Sequence, residues 1–380
     1  MNRVLSKIPF VGLHAHSVAG SPFDGLGYPQ EHMDFAYTNG SEALALTDHG
    51  NANGLSYQVL HAKKMNAEGR TFKPIYGVEA YFIPSIDEWK SDYEKQISDK
   101  KNSSKVAGDS QGTVFETEER KSNDSLKRRR HLILLAQNQT GLNNIFSLIS
   151  KSFKPENFYR FPRIDYNILA QHSEGIIAAS ACLGGVYAND MWENKDKGPN
   201  AILSAMRDTT SKMKEIFGDR WYAELQWNSI PEQHELNKYV IQIAQEMGVE
   251  LISTADSHYP TPDAWKDRIL YKKLGWLGEG KDIDTQIPSN VESVGYELYP
   301  KNGDQMWESY KFYSEKLGTK YDDEVVMKSL TNTHHIAFSR IDNFMPDNTV
   351  RLPSFVVPEG MTAEQALKKY AADGLRKFIQ

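Results

Sequence analysis

Five of the eleven histidines and the single cysteine of this chain stand in settings that suit metal chemistry. His14 and His16 are one residue apart, so on an extended backbone both imidazoles face the same side. Asp24 follows in the turn Ser21-Pro22-Phe23-Asp24-Gly25, and Asp48-His49 directly follows the run Ala-Leu-Ala-Leu-Thr. Glu79 lies in Gly77-Val78-Glu79, His131 opens an aliphatic run, Cys182 sits in Ser-Ala-Cys-Leu-Gly-Gly, and Asp256 and His258 close another run. Imidazoles, carboxylates and one thiolate together suit zinc, manganese or ferrous iron better than calcium or magnesium. Nine such groups exceed the needs of one ion, so two or three divalent ions sharing carboxylates are expected. Ions about 3.5–4 Å apart suit phosphate-ester cleavage, because they activate water and stabilise the attacking and leaving oxygens together. Taken singly, a His-x-His pair, an Asp-His cap or a packed cysteine is an ordinary structural feature. The joint pattern is what points to chemistry. His32, His61, His172, His234, His334 and His335 lack such a setting and read as structural.

Something must bring positions this far apart in sequence together. Apolar runs at Phe10–Leu13, Ala43–Thr47, Pro74–Ile83, His131–Ala136, Gly175–Ser180, Trp221–Gln226 and Glu250–Thr254 read as strands. Between them lie helical patterns such as Tyr28–Thr38, Gly54–Ala67 and Pro231–Met247. Strands alternating with helices predict an α/β fold with a parallel sheet or barrel, and seven strands favour the barrel. In a parallel barrel the carboxyl ends of the strands converge on one mouth, which is where these candidate ligands fall.

Composition narrows the setting. With 39% hydrophobic and 25% charged residues and a net charge of −6, the chain has a globular profile. No run approaches the ~18 apolar residues of a membrane span, and residues 1–11 carry no secretory apolar core. One cysteine excludes a disulfide scaffold and favours a reducing, cytoplasmic setting. A chain that only clamps nucleic acid would be basic, so any contact with DNA is expected to be local, metal-assisted or made through a partner. From Ser85 to Arg130, 21 of 46 residues are charged, which predicts a surface insertion. Its terminal Lys127-Arg128-Arg129-Arg130 reads as a solvated loop edge in preference to a phosphate-attracting rim. Towards the C-terminus, helical patterns at Trp265–Trp276, Asp304–Leu317 and Asp322–Asp342 precede an extended Val350–Gly360 link. A helix at Thr362–Phe378 opens with a Thr362/Gln365 capping box. The Asp282-Ile-Asp284 pair reads as a polar loop.

The order His14-x-His16, Asp24, Thr47-Asp48-His49-Gly50, Gly77-x-Glu79, His131-Leu-Ile-Leu-Leu-Ala, Ser180-Ala-Cys182-Leu-Gly-Gly and Asp256-x-His258-Tyr259 resembles the PHP (polymerase and histidinol phosphatase) domain. More narrowly, it is similar to the N-terminal PHP domain of bacterial and phage DNA polymerase III alpha subunits. Phe158–Asp165, Phe217–Gln226 and Leu352–Pro358 share that likeness. The resemblance implies a distorted (β/α)7 barrel over residues 1–285, then a mainly helical segment, 286–380, leading towards a polymerase palm. It implies one metal on His14, His16, Glu79 and Asp256, a second on Glu79, His131 and Cys182, and a third on Asp24, His49 and His258. Catalysis would rest on Asp256, His14, His16 and Glu79. Asp48 would orient an imidazole from behind the ligands, and Lys73 is a candidate phosphate contact. The activity implied is phosphodiester hydrolysis, a 3′–5′ exonuclease acting on DNA, in the cytoplasm (the host's, if phage-encoded). The palm motifs are missing, so polymerisation is expected to need the remainder of a longer chain or a separate partner. Two alternatives are a non-catalytic, metal-braced polymerase scaffold and a free-standing PHP phosphatase.

Overall fold

The computed structural model describes residues 5–95, 129–278, 297–347, 349–350 and 355–379. Its strands are β1 (Ala43–Leu46), β2 (Lys73–Phe82), β3 (Arg130–Ala136), β4 (Phe158–Tyr159), β5 (Phe161–Pro162), β6 (Ile176–Ala179), β7 (Trp221–Gln226) and β8 (Glu250–Thr254). Six of them form one curled sheet in the order β1-β2-β3-β6-β7-β8, while β4 and β5 make a separate small hairpin. The sheet edges are joined by the N-terminal segment. Gly12 bridges Leu44 of β1, and Ala15 bridges Ser257 just beyond β8. The Ala45 amide donates to the Gly12 carbonyl at 2.8 Å and the His16 amide to the Ser257 carbonyl at 2.7 Å. The expected first strand at Phe10–Leu13 is therefore a seam at 12–16, and with it the ring has the seven staves of a distorted barrel.

One expectation about direction is corrected. The pairs β1–β2, β6–β7 and β7–β8 are parallel, but β3 runs antiparallel to both β2 and β6. Tyr81 near the end of β2 faces His131 at the start of β3. The reversal carries a residue that opens its strand to the same rim as residues that end theirs.

Alternation along the strands sorts side chains between two cores. In β3, Ile133 and Leu135 join Val11, Leu13, Ala43, Ala45, Ile75, Ile177, Ala179 and Ile252 inside the ring. Leu132 and Leu134 point outward into a layer with Leu142, Ile145 and Leu148. A sheet covered on both faces needs apolar residues at nearly every position, which is why the strands read as unbroken aliphatic runs.

The covering helices are α1 (Pro29–Thr38), α2 (Leu55–Ala67), α3 (86–95), α4 (Gln139–Ser152), α5 (Tyr166–Gln171), α6 (Val186–Asn194), α7 (Pro199–Phe217), α8 (Pro231–Met247) and α9 (Trp265–Gly278). In α8 the boundaries follow from single residues. Pro231 fits the first helical position, where no amide bond is lost, and Gly248, at φ +62°, stops the helix in a left-handed turn. No helix among the described residues is long and apolar enough to cross a membrane.

Residues 1–345 form one compact unit and 346–380 another. The expected boundary at 285/286, the Asp282/Asp284 pair and most of the 85–130 insertion lie outside the described residues. Within the first unit, helices α10 (Gly303–Lys316) and α11 (Asp323–His335) precede a π-type turn, Ile336–Arg340. Ile336, Ala337 and Ile341 enter the barrel interior, and the Val11 amide donates to Thr333 Oγ1 at 3.0 Å. These residues plug the ring at the end away from the mouth. In the second unit, α12 (Ala363–Ile379) is capped as expected, with Thr362 and Gln365 exchanging bonds of 2.8 and 3.2 Å.

Lys73 belongs to this plug, which corrects its reading as a phosphate contact. It opens β2, six residues before Glu79, so at ~3.3 Å per residue it lies about 20 Å from the mouth. Its buried ammonium donates to the carbonyls of Ala337 and Ile341, both at 2.6 Å. Removing a charged donor from buried acceptors costs roughly 1.5–3 kcal/mol. Lys73→Ala is expected to lower stability by that amount in urea unfolding while metal affinity stays unchanged. Arg130 is likewise no solvated loop edge: it is buried against Asp190 at 2.7 Å and Glu193 at 2.9 Å. Arg129 stacks on Phe161, 3.7 Å from the ring centre.

Candidate metal centre

The mouth is built from strand ends and the seam. His14 and His16 come from the seam, His49 from just beyond β1, Glu79 from β2, His131 from β3, Cys182 from beyond β6, and Asp256 and His258 from beyond β8. Asp24 arrives on the loop before α1. All nine expected side chains converge. Glu79 is wholly buried at the centre, with its oxygens 3.4 Å from His14 Nε2, 3.4 Å from His16 Nε2, 2.7 Å from His49 Nδ1 and 3.0 Å from His131 Nδ1. Asp256 Oδ1 lies 3.1 Å from His14 Nε2 and 3.2 Å from His16 Nε2. Cys182 Sγ is 4.0 Å from Glu79 and 3.8 Å from His131 Nδ1. Asp24 Oδ2 sits between His49 Nε2 at 3.0 Å and His258 Nε2 at 3.2 Å. Three of the other histidines are bonded away from the mouth: His32 bonds the Leu26 carbonyl, His61 bonds Asp34, and His234 bonds the Asn228 carbonyl.

The backbone is strained where these groups are presented. Of the five non-glycine residues with positive φ among the described residues, three, Phe23, Ala181 and Asp256 at +63°, +61° and +49°, are a candidate ligand or its immediate neighbour, and the other two, Arg160 and Glu297, lie elsewhere. Such conformations cost about 1–3 kcal/mol apiece and persist where the surrounding structure enforces them, most often at functional sites.

The charges are organised as a cation site requires. Burial opposes ionisation of Glu79, but His131, His49 and His14 hold its carboxyl well below the ordinary 4.5. Asp256 is lowered in the same way, against burial, by His14 and His258. Burial disfavours a charged His14, yet Asp256, Glu224 and Glu79 raise its pKa well above 6.5. His49 is raised too, burial being outweighed by Glu79 and Asp24. His16, buried and facing His49 and His258, falls to about 3. Burial, with Asp256 and Glu79, pushes the Cys182 thiol up. Without ions, imidazole protons, those on His14 and His49 among them, offset the charge of Glu79 and Asp256.

The donor set fits divalent ions. Glu79 Oε2, Asp256 Oδ1 and His49 Nδ1 are buried with no well-aligned hydrogen bond, a costly condition that a cation relieves. Three sets each present ligand atoms within 4.8 Å of one another: His14/His16/Asp256, His49/Glu79/His131 and His16/His49/His258.

Three residues that the sequence reading left without a role support this group. Glu224, on the inner face of β7, accepts from His14 Nδ1 at 2.9 Å and from Gln226 Nε2 at 3.0 Å. This bond fixes the His14 ring with Nε2 towards the centre. A lone acid in a largely apolar strand, at an inward-facing position, was the available signal. Glu224→Ala is expected to weaken metal binding about 10–100-fold in competition with a chelator. On α9, Arg268 and Lys272 each reach Asp24 Oδ1 at 2.7 Å, leaving Oδ2 for the imidazoles. Asp48 accepts from the Ser17 amide at 2.7 Å, the Ser17 hydroxyl at 2.9 Å and the Ser21 hydroxyl at 3.0 Å. Through Ser21, whose hydroxyl lies 3.4 Å from His16 Nδ1, it stands behind that imidazole. Burial raises the Asp48 pKa to about 6.

The DNA polymerase III subunit alpha of Aquifex aeolicus is 34% identical over 98% of this chain and 28% of its own length. That of Thermus aquaticus is 30% identical over 97% of the chain and 26% of its own length. The chain thus spans about a quarter of these curated relatives. Among solved structures, an amidohydrolase from Chromobacterium violaceum aligns with 69% of this chain and 96% of its own, at 15% identity and a TM-score of 0.36. Residues 12–228, which carry the seam, seven of the nine convergent side chains and Glu224, match the family model of the PHP domain, and the chain belongs to that family.

Proposed function

We propose that this chain is the PHP part of a DNA polymerase III alpha subunit, and that its mouth hydrolyses phosphodiesters at DNA 3′ ends. The observation that carries the reading is the convergence of five imidazoles, three carboxylates and a thiol on one rim, with buried lone pairs left unbonded. His14, His16, Glu79 and Asp256 would hold one ion, Glu79, His131 and Cys182 a second, and Asp24, His49 and His258 a third. Zinc, manganese or ferrous iron suits this donor set. Such ions supply an activated water and neutralise the scissile phosphate. The chain's own contribution is positional. Glu224 sets the His14 ring, Arg268 and Lys272 turn Asp24, and Glu79 ties four imidazoles to one point. Polymerisation would fall to the remainder of the polymerase, in the same or a separate chain.

The test is release of nucleotides from a 3′-labelled primer with manganese or zinc present. Wild-type protein is expected to shorten the primer, and the His14→Ala/Asp256→Ala double variant to leave it intact. Equal shortening by both would overturn the reading. A protein that binds the ions and loses stability without them, yet leaves the primer and phosphate monoesters untouched, would be the metal-braced scaffold.

A further inference from the structure

Beside the candidate ligands stands an aromatic pair that the hydrolytic chemistry does not use. Phe23 is 51% exposed although it immediately precedes Asp24. Its ring stacks on Tyr271 of α9, with centroids 5.1 Å apart and planes at 23°. Several features show that this ring is held there. Its backbone sits at φ +63°, a conformation that bulky residues rarely adopt. Position 275, inside α9, is glycine, a poor helix former. A Cβ there would lie 2.8 Å from the Phe23 ring atoms Cδ1 and Cγ. The helix thus gives up a side chain where the ring lies against it. One and two turns back along the same helix, Lys272 and Arg268 place two cations against Asp24. An accessible ring, a second ring stacked beneath it and adjacent cations are the parts of a surface that binds unpaired nucleotides, where bases stack and the backbone follows positive charge.

We propose that Phe23 and Tyr271 form a stacking platform for the unpaired base at the end of a single DNA strand, beside the ligand-bearing rim. The proposal rests on the hydrolytic reading for its substrate class, and it adds a preference for frayed or single-stranded ends over paired ones. Phe23 and Tyr271 bind the base. Arg268 and Lys272, which hold Asp24, supply local positive charge on a chain whose net charge is −6.

Binding of a fluorescein-labelled oligothymidylate, read by anisotropy with calcium in place of manganese to suppress turnover, tests the platform directly. Phe23→Leu keeps an apolar side chain on Gly275 but removes the aromatic face, and it is expected to weaken binding about tenfold. Tyr271→Leu should do likewise. Phe23→Tyr should bind as wild type does, and an exposed aromatic elsewhere, Phe312→Leu, should change nothing. Equal affinity of Phe23→Leu and wild type, or tighter binding of blunt duplex than of the single strand, would overturn the platform. Cleavage of bis(p-nitrophenyl) phosphate by the wild-type protein separates the two ideas, since that ester has no base to stack. A wild-type protein that cleaves it, together with a Phe23→Leu variant of undiminished DNA affinity, sinks the platform alone. A wild-type protein that cleaves neither ester nor primer sinks the hydrolytic reading, whatever the binding result.

Discussion

Stripping divalent ions from the protein is expected to destabilise it by on the order of 4 kcal/mol, the effect of an ion present at about a thousandfold its Kd. The reason is the density of like groups at the mouth. Glu79 and Asp256 are buried within 3.5 Å of shared imidazoles, and without ions only protons offset their charge. Those protons give the ion-free form a distinctive pH dependence. His14 and His49 have folded pKa values above 6.5, so their contribution is complete below 6.5 and fades as pH rises through the folded values. Glu79 and Asp256 are depressed below 4.5 and 3.8, so their contribution is present above those values and fades as pH falls through the folded ones. On these four groups the ion-free protein should be most stable between about 4.5 and 6.5, while His16, lowered to about 3, and Asp48, raised to about 6, pull in opposite directions across that window. Ion binding must displace protons from His14, His49 and the Cys182 thiol, so the loaded protein should gain relative stability as pH rises. Thermal unfolding with and without chelator, across pH 5 to 8, checks both statements. Calorimetric titration in buffers of different ionisation enthalpy should show proton release at pH 7. A melting curve indifferent to chelator would contradict the whole account of the mouth.

Glu79→Ala should be the most damaging single substitution at the site. Glu79 is the residue that four imidazoles share, and removing a buried partner of this kind costs roughly 3–5 kcal/mol. Glu79→Gln keeps the shape and removes the charge. The expected outcome for this variant is loss of ion binding at the two sets that Glu79 would join, and loss of primer hydrolysis by at least about 100-fold, the upper end of what losing a residue that merely supports a ligand costs. Elemental analysis of the purified variant should show fewer ions than wild type. Retention of the full complement would mean that Glu79 braces the mouth without holding an ion.

The elements with strong local signals were legible before any coordinates. Trp221–Gln226, Glu250–Thr254 and Pro231–Met247 have the bounds read from the sequence, because apolar runs end at turn residues and Pro231 and Gly248 mark the helix ends. The convergent side chains were legible for a related reason: most follow aliphatic runs, and such runs end at a common rim. Direction was not legible, because hydrophobic periodicity is the same whichever way a strand runs. The reversal of β3 emerged only from its pairing. Glu224 was hidden inside a strand that otherwise looked like packing. Arg268 and Lys272 were hidden on an amphipathic helix, where cations are ordinary surface. Lys73 has the charge of a phosphate contact but not the place: it starts β2, while the candidate ligands lie at the other end.

The seam at residues 12–16 has a consequence for how the molecule comes apart. It is the stave that completes the circle, held on one side to Leu44 and on the other to Ser257, and it also brings two imidazoles to the rim. Any ion that grips His14 and His16 together with Glu79 and Asp256 therefore acts as a hoop around the cask. Prising the first stave loose would spill the ions, and losing the ions would let that stave spring.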